Sequence, residues 1–212
     1  MFATRHFCLI ACLCANIGFS MSANAADPMS GDAARGRAIV AASCANCHGA
    51  DGKASGKAYP KLSGQRPEYI TEQLTNFKTR SREDLTMTDV SARLAPADIR
   101  DVAAYLSAIP APVERTSAAP APTPAGERLF SQGNPAAGVP ACKSCHGPRG
   151  AGLAAAGVPR VAGQPALYVW SELEAFKSAE RGTEGGNVMR IVASRLSEKE
   201  MQDLARYIAA LN

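Results

Sequence analysis

Apolar residues return at three- and four-residue intervals in several stretches of this 212-residue chain. In PEYITEQLTNFKTR, Ile70, Leu74 and Phe77 fall on one side of a 3.6-residue period. Pro67 opens that stretch where a helix accepts proline, because the N–H it lacks would have no helical partner there. APADIRDVAAYLSAI follows the same plan with Ile99, Val102 and Leu106, and GDAARGRAIVAAS reads as a shorter helix. SEKEMQDLARYIAAL closes the chain, with Ser197 and Glu200 at capping-box spacing and Met201, Leu204 and Ile208 as the apolar stripe. No segment alternates for long enough to suggest a strand, and the gaps are rich in Gly, Ser and Pro. The pattern predicts an all-α protein.

The pattern also occurs twice. YPKLSGQ (residues 59–65) returns as VPRVAGQ (158–164), MTDVSARL (87–94) as MRIVASRL (189–196), and DVAAYLSAI (101–109) as DLARYIAAL (203–211). The offsets drift only from 98 to 102 residues, so order is kept. Two copies are too few for a solenoid and predict two tandem sibling domains, 26–109 and 126–212. Residues 110–125 lie in PAPVERTSAAPAPTPAG, a proline-rich run expected to be an extended, semi-rigid spacer that leaves open whether the domains touch.

Residues 1–25 read as a cleaved export signal: a short basic start through Arg5, an apolar run, and a small-residue cleavage site before Ala26. The apolar run falls short of the roughly 20 residues that span a bilayer, which argues against an anchor. A lipid-modified Cys12 would leave an unusually short apolar stretch before it. An exported, soluble protein in the periplasm is expected. The formal net charge is +4, of which Arg5 of the signal carries one; residues 27–112 hold 11 basic and 10 acidic residues, residues 113–212 hold 11 and 9, and no basic run interleaves with aromatics. Nucleic-acid binding is not indicated.

Loss of the signal removes Cys8, Cys12 and Cys14. The remaining cysteines and histidines all stand in two pentads, Cys44-Ala-Asn-Cys47-His48 and Cys142-Lys-Ser-Cys145-His146. Cys-x-x-Cys-His is the attachment signature of c-type haem. Two thiols add across the vinyl groups on one porphyrin edge, and the adjacent histidine reaches the iron from one face. Zinc would need about four ligands where each pentad offers three. A thioredoxin-like pair would go with a βαβ pattern. A structural disulfide would leave the following histidine unexplained, twice. Two covalently bound haem groups are expected, and each would supply the apolar centre that so small a domain lacks.

With no spare histidine or cysteine, methionine remains as the second axial ligand. Met87 and Met189 are matched across the copies, each in a polar stretch placed just before a helix, and are expected to join His48 and His146 on the two irons. The competing reading of each is an ordinary packing methionine. Met201 is expected in the core, and Met29 has no assigned role. A metal-bound histidine needs a partner for its other ring nitrogen. The carbonyls of Pro60 and Pro159 are candidates, unless these are plain turn prolines.

These residues resemble the two-haem periplasmic cytochromes of the cytochrome c4 family. The resemblance covers essentially all of the chain after the signal. It rests on CANCHGADG and CKSCHGPRG, on YPKLSGQRPEYITEQLTNFKT and VPRVAGQPALYVWSELEAFKS, on the methionines followed by SARL and ASRL, and on a terminal helix with Tyr105 or Tyr207. It implies tandem class I cytochrome c folds, His/Met ligation in both, and haem propionates facing one another across a domain interface. It further implies electron passage from a quinol-oxidising bc-type complex to a terminal oxidase or reductase, with redox proteins as partners. Two other functions fit the same residues. One is a haem enzyme, a peroxidase or sulfur-compound oxidoreductase with a labile axial site, for which only the GTEGGNV loop before Met189 speaks. The other is the electron-accepting subunit of a dehydrogenase. No acid–base set points to catalytic residues.

Overall fold

The computed structural model describes residues 30–54, 56, 58–112, 121–182 and 187–211. The expected export signal, Met29, the middle of the spacer and most of the GTEGGNV loop lie outside the described residues. The first copy folds as α1 (Ala33–Ser43), α2 (Ala45–His48), α3 (Pro67–Lys78), α4 (Leu85–Ala92) and α5 (Pro96–Ala108). The second folds as α6 (Pro124–Gln132), α7 (Lys143–His146), α8 (Ala166–Lys177), α9 (Val188–Ala193) and α10 (Glu198–Ala210). Among the described residues there is no strand, only the isolated bridges Asn134–Val139 and Leu153–Val158. None of these helices is long and apolar enough to cross a membrane.

Local chemistry sets the ends. The Asp32 carboxylate accepts from the N–H groups of Ala34 and Arg35 to start α1, and the Thr123 hydroxyl accepts from Gly126 to start α6. The helix α6 takes in Pro124, at a residue of the expected spacer, because proline suits the first helical position. The Ser197–Glu200 capping box forms on α10.

In each domain the first long helix packs across the last, α1 on α5 and α6 on α10. The crossings are made by glycine. Gly36 sits against the Asp101 carbonyl and Gly126 against the Asp203 carbonyl, each so close that a Cβ would collide with backbone. Behind the crossings lie two small cores. The first holds Val40, Ile70, Val102, Ala103 and Leu106. The second is larger and includes Leu129, Phe130, Leu173, Met201, Leu204 and Ile208, with Met201 fully buried.

The structure corrects one expectation. Met87 and Met189 do not precede a helix; they lie within α4 and α9. The Asp84 carboxylate nucleates α4 by accepting from the N–H groups of Thr86 and Met87. Asn187, in the left-handed region at φ 53°, starts α9.

The two domains touch, through polar groups related by the repeat. Gln65 Nε2 donates to the Arg160 carbonyl at 2.8 Å, and Arg160 N–H donates to Gln65 Oε1 at 2.8 Å. In mirror fashion, Gln164 Nε2 donates to the Lys61 carbonyl at 2.7 Å and Lys61 N–H donates to Gln164 Oε1 at 2.9 Å. Beside them, Arg82 donates to Gln73 at 2.8 Å and to Glu172 at 2.6 Å. Arg181 pairs with Glu172 and reaches back to Gln73 and to the Tyr69 hydroxyl. Each guanidinium also lies over a phenyl ring, Arg82 on Phe77 and Arg181 on Phe176.

Candidate haem centres

Each pentad forms one helical turn. The N–H groups of Cys47 and His48 donate to the Cys44 carbonyl at 3.3 and 3.0 Å, and those of Cys145 and His146 donate to the Cys142 carbonyl at the same two distances. Both thiols and the imidazole therefore leave the backbone within a single turn, in the same arrangement in both domains. Gly49 and Gly147 end the turns at φ 79° and 80°, a region costly for any residue with a Cβ.

The loop that follows folds back onto the histidine. Gly52 O accepts from the N–H groups of Leu62 and Ser63, and Gly150 O from those of Val161 and Ala162. This returns Pro60 to His48 and Pro159 to His146, with Nδ1 3.1 Å from the proline oxygen in both cases. A carbonyl can only accept, so Nδ1 carries the proton and Nε2 is left with its lone pair. Burial lowers the pKa of both imidazoles, against the opposing pull of the proline carbonyls. Both rings are thus neutral, as a metal ligand must be. The Tyr59 ring stands edge-on to His48 at 6.1 Å between centroids.

The four thiols are free of disulfides. Burial raises the pKa of Cys44 and pushes that of Cys142 up to about 11, so both are protonated at neutral pH. Cys44 and Cys142 pack against the two hydrophobic cores. Met87 is half-buried near the start of α4, and the Asp84 carboxylate that caps this helix acts electrostatically on His48. Met189 is half-buried and packs on the same core as Cys142. Met201 belongs to that core alone.

This donor set suits an iron porphyrin, which brings four nitrogens and asks the protein for axial ligands only. A bare ion finds no home, since no group of three or more His, Cys, Asp or Glu among the described residues is placed to hold one. Three further observations agree. The cores reach up to the first thiol of each pentad, Cys44 and Cys142. Apolar side chains at the starts of α4 and α9 face outward, Leu85 at 96% exposure and Val188 at 51%. Buried donors, Gln73 Nε2, Asn76 Nδ2 and Trp170 Nε1, have no acceptor among the described residues. Such orphans cost about 1–3 kcal/mol each, and haem carboxylates are acceptors of the right kind.

The sequence matches the Cytochrome c family over residues 33–110 and again over 124–212. Cytochrome c4 of Pseudomonas aeruginosa is 38% identical over 205 residues, covering 96% of this chain and 98% of that protein. The thiosulfate dehydrogenase electron acceptor of Stutzerimonas stutzeri is 35% identical over 195 residues, covering 90% of this chain and 88% of that one. Among solved structures, reduced recombinant cytochrome c4 from Pseudomonas stutzeri aligns with a TM-score of 0.79 at 36% identity, over 86% of this chain and all of the other. Fold, duplicated site and relatives define an electron-transfer protein with two covalently bound haem c groups. The chain belongs to the cytochrome c family, in its two-domain cytochrome c4 branch.

Several residues that matter here carry no obvious signal in the sequence. Gln65 and Gln164 stand in the repeated Gly-Gln element, and Arg82 and Arg181 are matched 99 residues apart. The repeat marks all four, but nothing in it shows that their partners lie in the opposite copy.

Proposed function

We propose that this chain is a periplasmic carrier that takes single electrons from a respiratory donor, such as a quinol-oxidising bc-type complex, and passes them to a terminal oxidase or reductase. In this reading His48 and Met87 hold one iron and His146 and Met189 the other, with thioethers at Cys44, Cys47, Cys142 and Cys145. The bound haem supplies a one-electron iron couple, and His/Met ligation raises its potential. The chain does the rest. Pro60 and Pro159 keep the Nδ1 proton in place, so each imidazole keeps one tautomer and one orientation. With His48 and Met87 holding one iron and His146 and Met189 the other, no position would be left for a substrate, which suits outer-sphere transfer. The clasped interface fixes the two centres relative to each other, so little rearranges when charge moves.

The observation that carries the reading is the paired Nδ1–proline contact, which points a neutral Nε2 donor out of each pentad. The test is a carbon monoxide difference spectrum of the reduced chain, normalised to haem. Two haems per chain and no gas binding are expected, with Met87→Ala and Met189→Ala each opening one haem to carbon monoxide. Gas binding by the unmodified protein would overturn the carrier reading.

The relatives named as thiosulfate dehydrogenase electron acceptors favour a second reading, in which the donor is a dehydrogenase of sulfur compounds. Stopped-flow reduction of the chain by each purified donor separates the two. Only the physiological one should reduce it at a saturable, salt-dependent rate.

A further inference from the structure

The proline carbonyl that accepts from each pentad histidine belongs to a peptide whose N–H is held by the opposite domain. The Pro60–Lys61 peptide accepts from His48 Nδ1 through its oxygen at 3.1 Å, and its N–H donates to Gln164 Oε1 at 2.9 Å. The Pro159–Arg160 peptide accepts from His146 Nδ1 at 3.1 Å, and its N–H donates to Gln65 Oε1 at 2.8 Å. Both glutamine side chains are buried, and each also donates to the carbonyl of the residue it clasps. Neither Lys61 nor Arg160 can turn its peptide without breaking two bonds.

We propose that Gln164 and Gln65 are positioning residues for the iron-binding histidines of the opposite domains, so that each domain tunes the axial ligand of the other. The inference rests on His48 and His146 as iron ligands. The physics is that of one conjugated peptide plane. Drawing the N–H toward Gln164 Oε1 moves electron density onto Pro60 O. That oxygen then pulls harder on the Nδ1 proton, and the imidazole becomes a stronger donor through Nε2. Linked hydrogen bonds strengthen one another by roughly 10–30% per bond, and such outer partners are known to set the basicity of a metal-bound histidine. A stronger donor favours the oxidised iron, so the clasp lowers the potential of the site it reaches. The two clasps are not equal. Gln65 Oε1 also accepts from the Arg66 N–H at 2.9 Å, so its pull on Arg160 is shared.

The alternative is a clasp that only glues the domains together. Potentiometric titration of the full two-haem chain, with each haem assigned to its domain by proton NMR, separates the two. Gln164→Leu should raise the potential of the first-domain haem and leave the second in place. Gln65→Leu should raise only the second, and by less. Unmoved potentials, or equal shifts of both haems in both variants, would overturn the proposal. If Gln164→Leu does not accumulate with two haems, Gln164→Asn keeps a neutral amide in the interface but is one methylene too short to hold the Lys61 N–H. It should again raise the first-domain haem and leave the second in place; an unmoved or lowered first-domain potential refutes the mechanism. The underlying ligation is tested apart, because His48→Gly must abolish the low-spin spectrum of one haem. If it does not, the ligand reading and the clasp fall together. If it does and the glutamine variants leave the potentials unmoved, the clasp alone falls.

Discussion

Replacing Gly126 by alanine sets two effects of opposite sign against each other. Within a helix, alanine is better than glycine by up to about 1 kcal/mol. Against this, the new Cβ would collide with the Asp203 carbonyl oxygen, with the Asp203 carbon at 2.8 Å and the Tyr207 Cβ at 2.9 Å. The obstacle is α10 itself, so no rotamer change relieves it. The helix α6 must back away from α10, and overpacking of this kind typically costs about 1–3 kcal/mol. Separation also loosens Leu129 and Phe130 from Leu204 and Ile208, and a gap of about 0.5–1 Å forfeits a quarter to a half of each dispersion contact. The net loss should be about 2–3 kcal/mol, which for a domain of this size lowers the melting temperature by about 10–20 °C. Trp170, the only tryptophan, packs against the affected core and reports on it by fluorescence during guanidinium unfolding of the haem-loaded chain. Gly36→Ala imposes the same collision on the first domain and should leave the Trp170 transition nearly in place. A Gly126→Ala protein as stable as the parent, or more so, would refute the steric account and leave helix propensity in charge.

Other consequences can be measured on the same chain. Glu172→Leu leaves the buried Arg181 and the half-buried Arg82 without their shared carboxylate, and breaking a buried pair such as Arg181–Glu172 from one side costs about 3–5 kcal/mol. The expected result is domains that separate, seen as a larger radius in small-angle scattering while each domain keeps its helical circular dichroism. Glu200→Gln tests the cap of α10. Hydrogen bonds from the Ser197 N–H and then from Asn134 hold the Glu200 carboxyl below its ordinary pKa of 4.5. A carboxyl depressed in the folded state contributes stability above its unfolded pKa, and this is lost as pH falls through the folded value. The stability gap between parent and Glu200→Gln should therefore be full at pH 7 and close as pH drops below 4.5. A gap that stays constant would remove the charge from the explanation.

The long helices were legible because burial wrote itself into their periodicity. Ile99, Val102 and Leu106 all lie inside, as do Met201, Leu204 and Ile208. The two pentads stood out because a fixed spacing recurs in register within the duplication, and each folds into the same single turn with its histidine on a proline carbonyl. The short helices α4 and α9 were not, since one begins on an aspartate cap and the other on a left-handed asparagine, and neither carries a clear stripe. The helix crossings were hidden because a glycine inside a helix reads as a local cost until the neighbouring backbone is seen. The domain interface was hidden for a different reason. Its bonds join polar residues about a hundred positions apart, and polarity alone does not separate a buried glutamine from a solvated one.

The reciprocal clasps relate the two halves as an approximate twofold relates partners in a dimer, where residue i touches j and j touches i. Identical subunits could place only matching residues at that axis. Two glutamines would leave two arginines without a counter-charge, and two glutamates would set like charges side by side. This chain has Gln73 in one half and Glu172 at the matched position in the other, with both Arg82 and Arg181 turned toward the single carboxylate. A homodimer cannot encode that arrangement. Joining the copies in one gene made symmetry breaking available, and an odd charge on the axis is its visible trace.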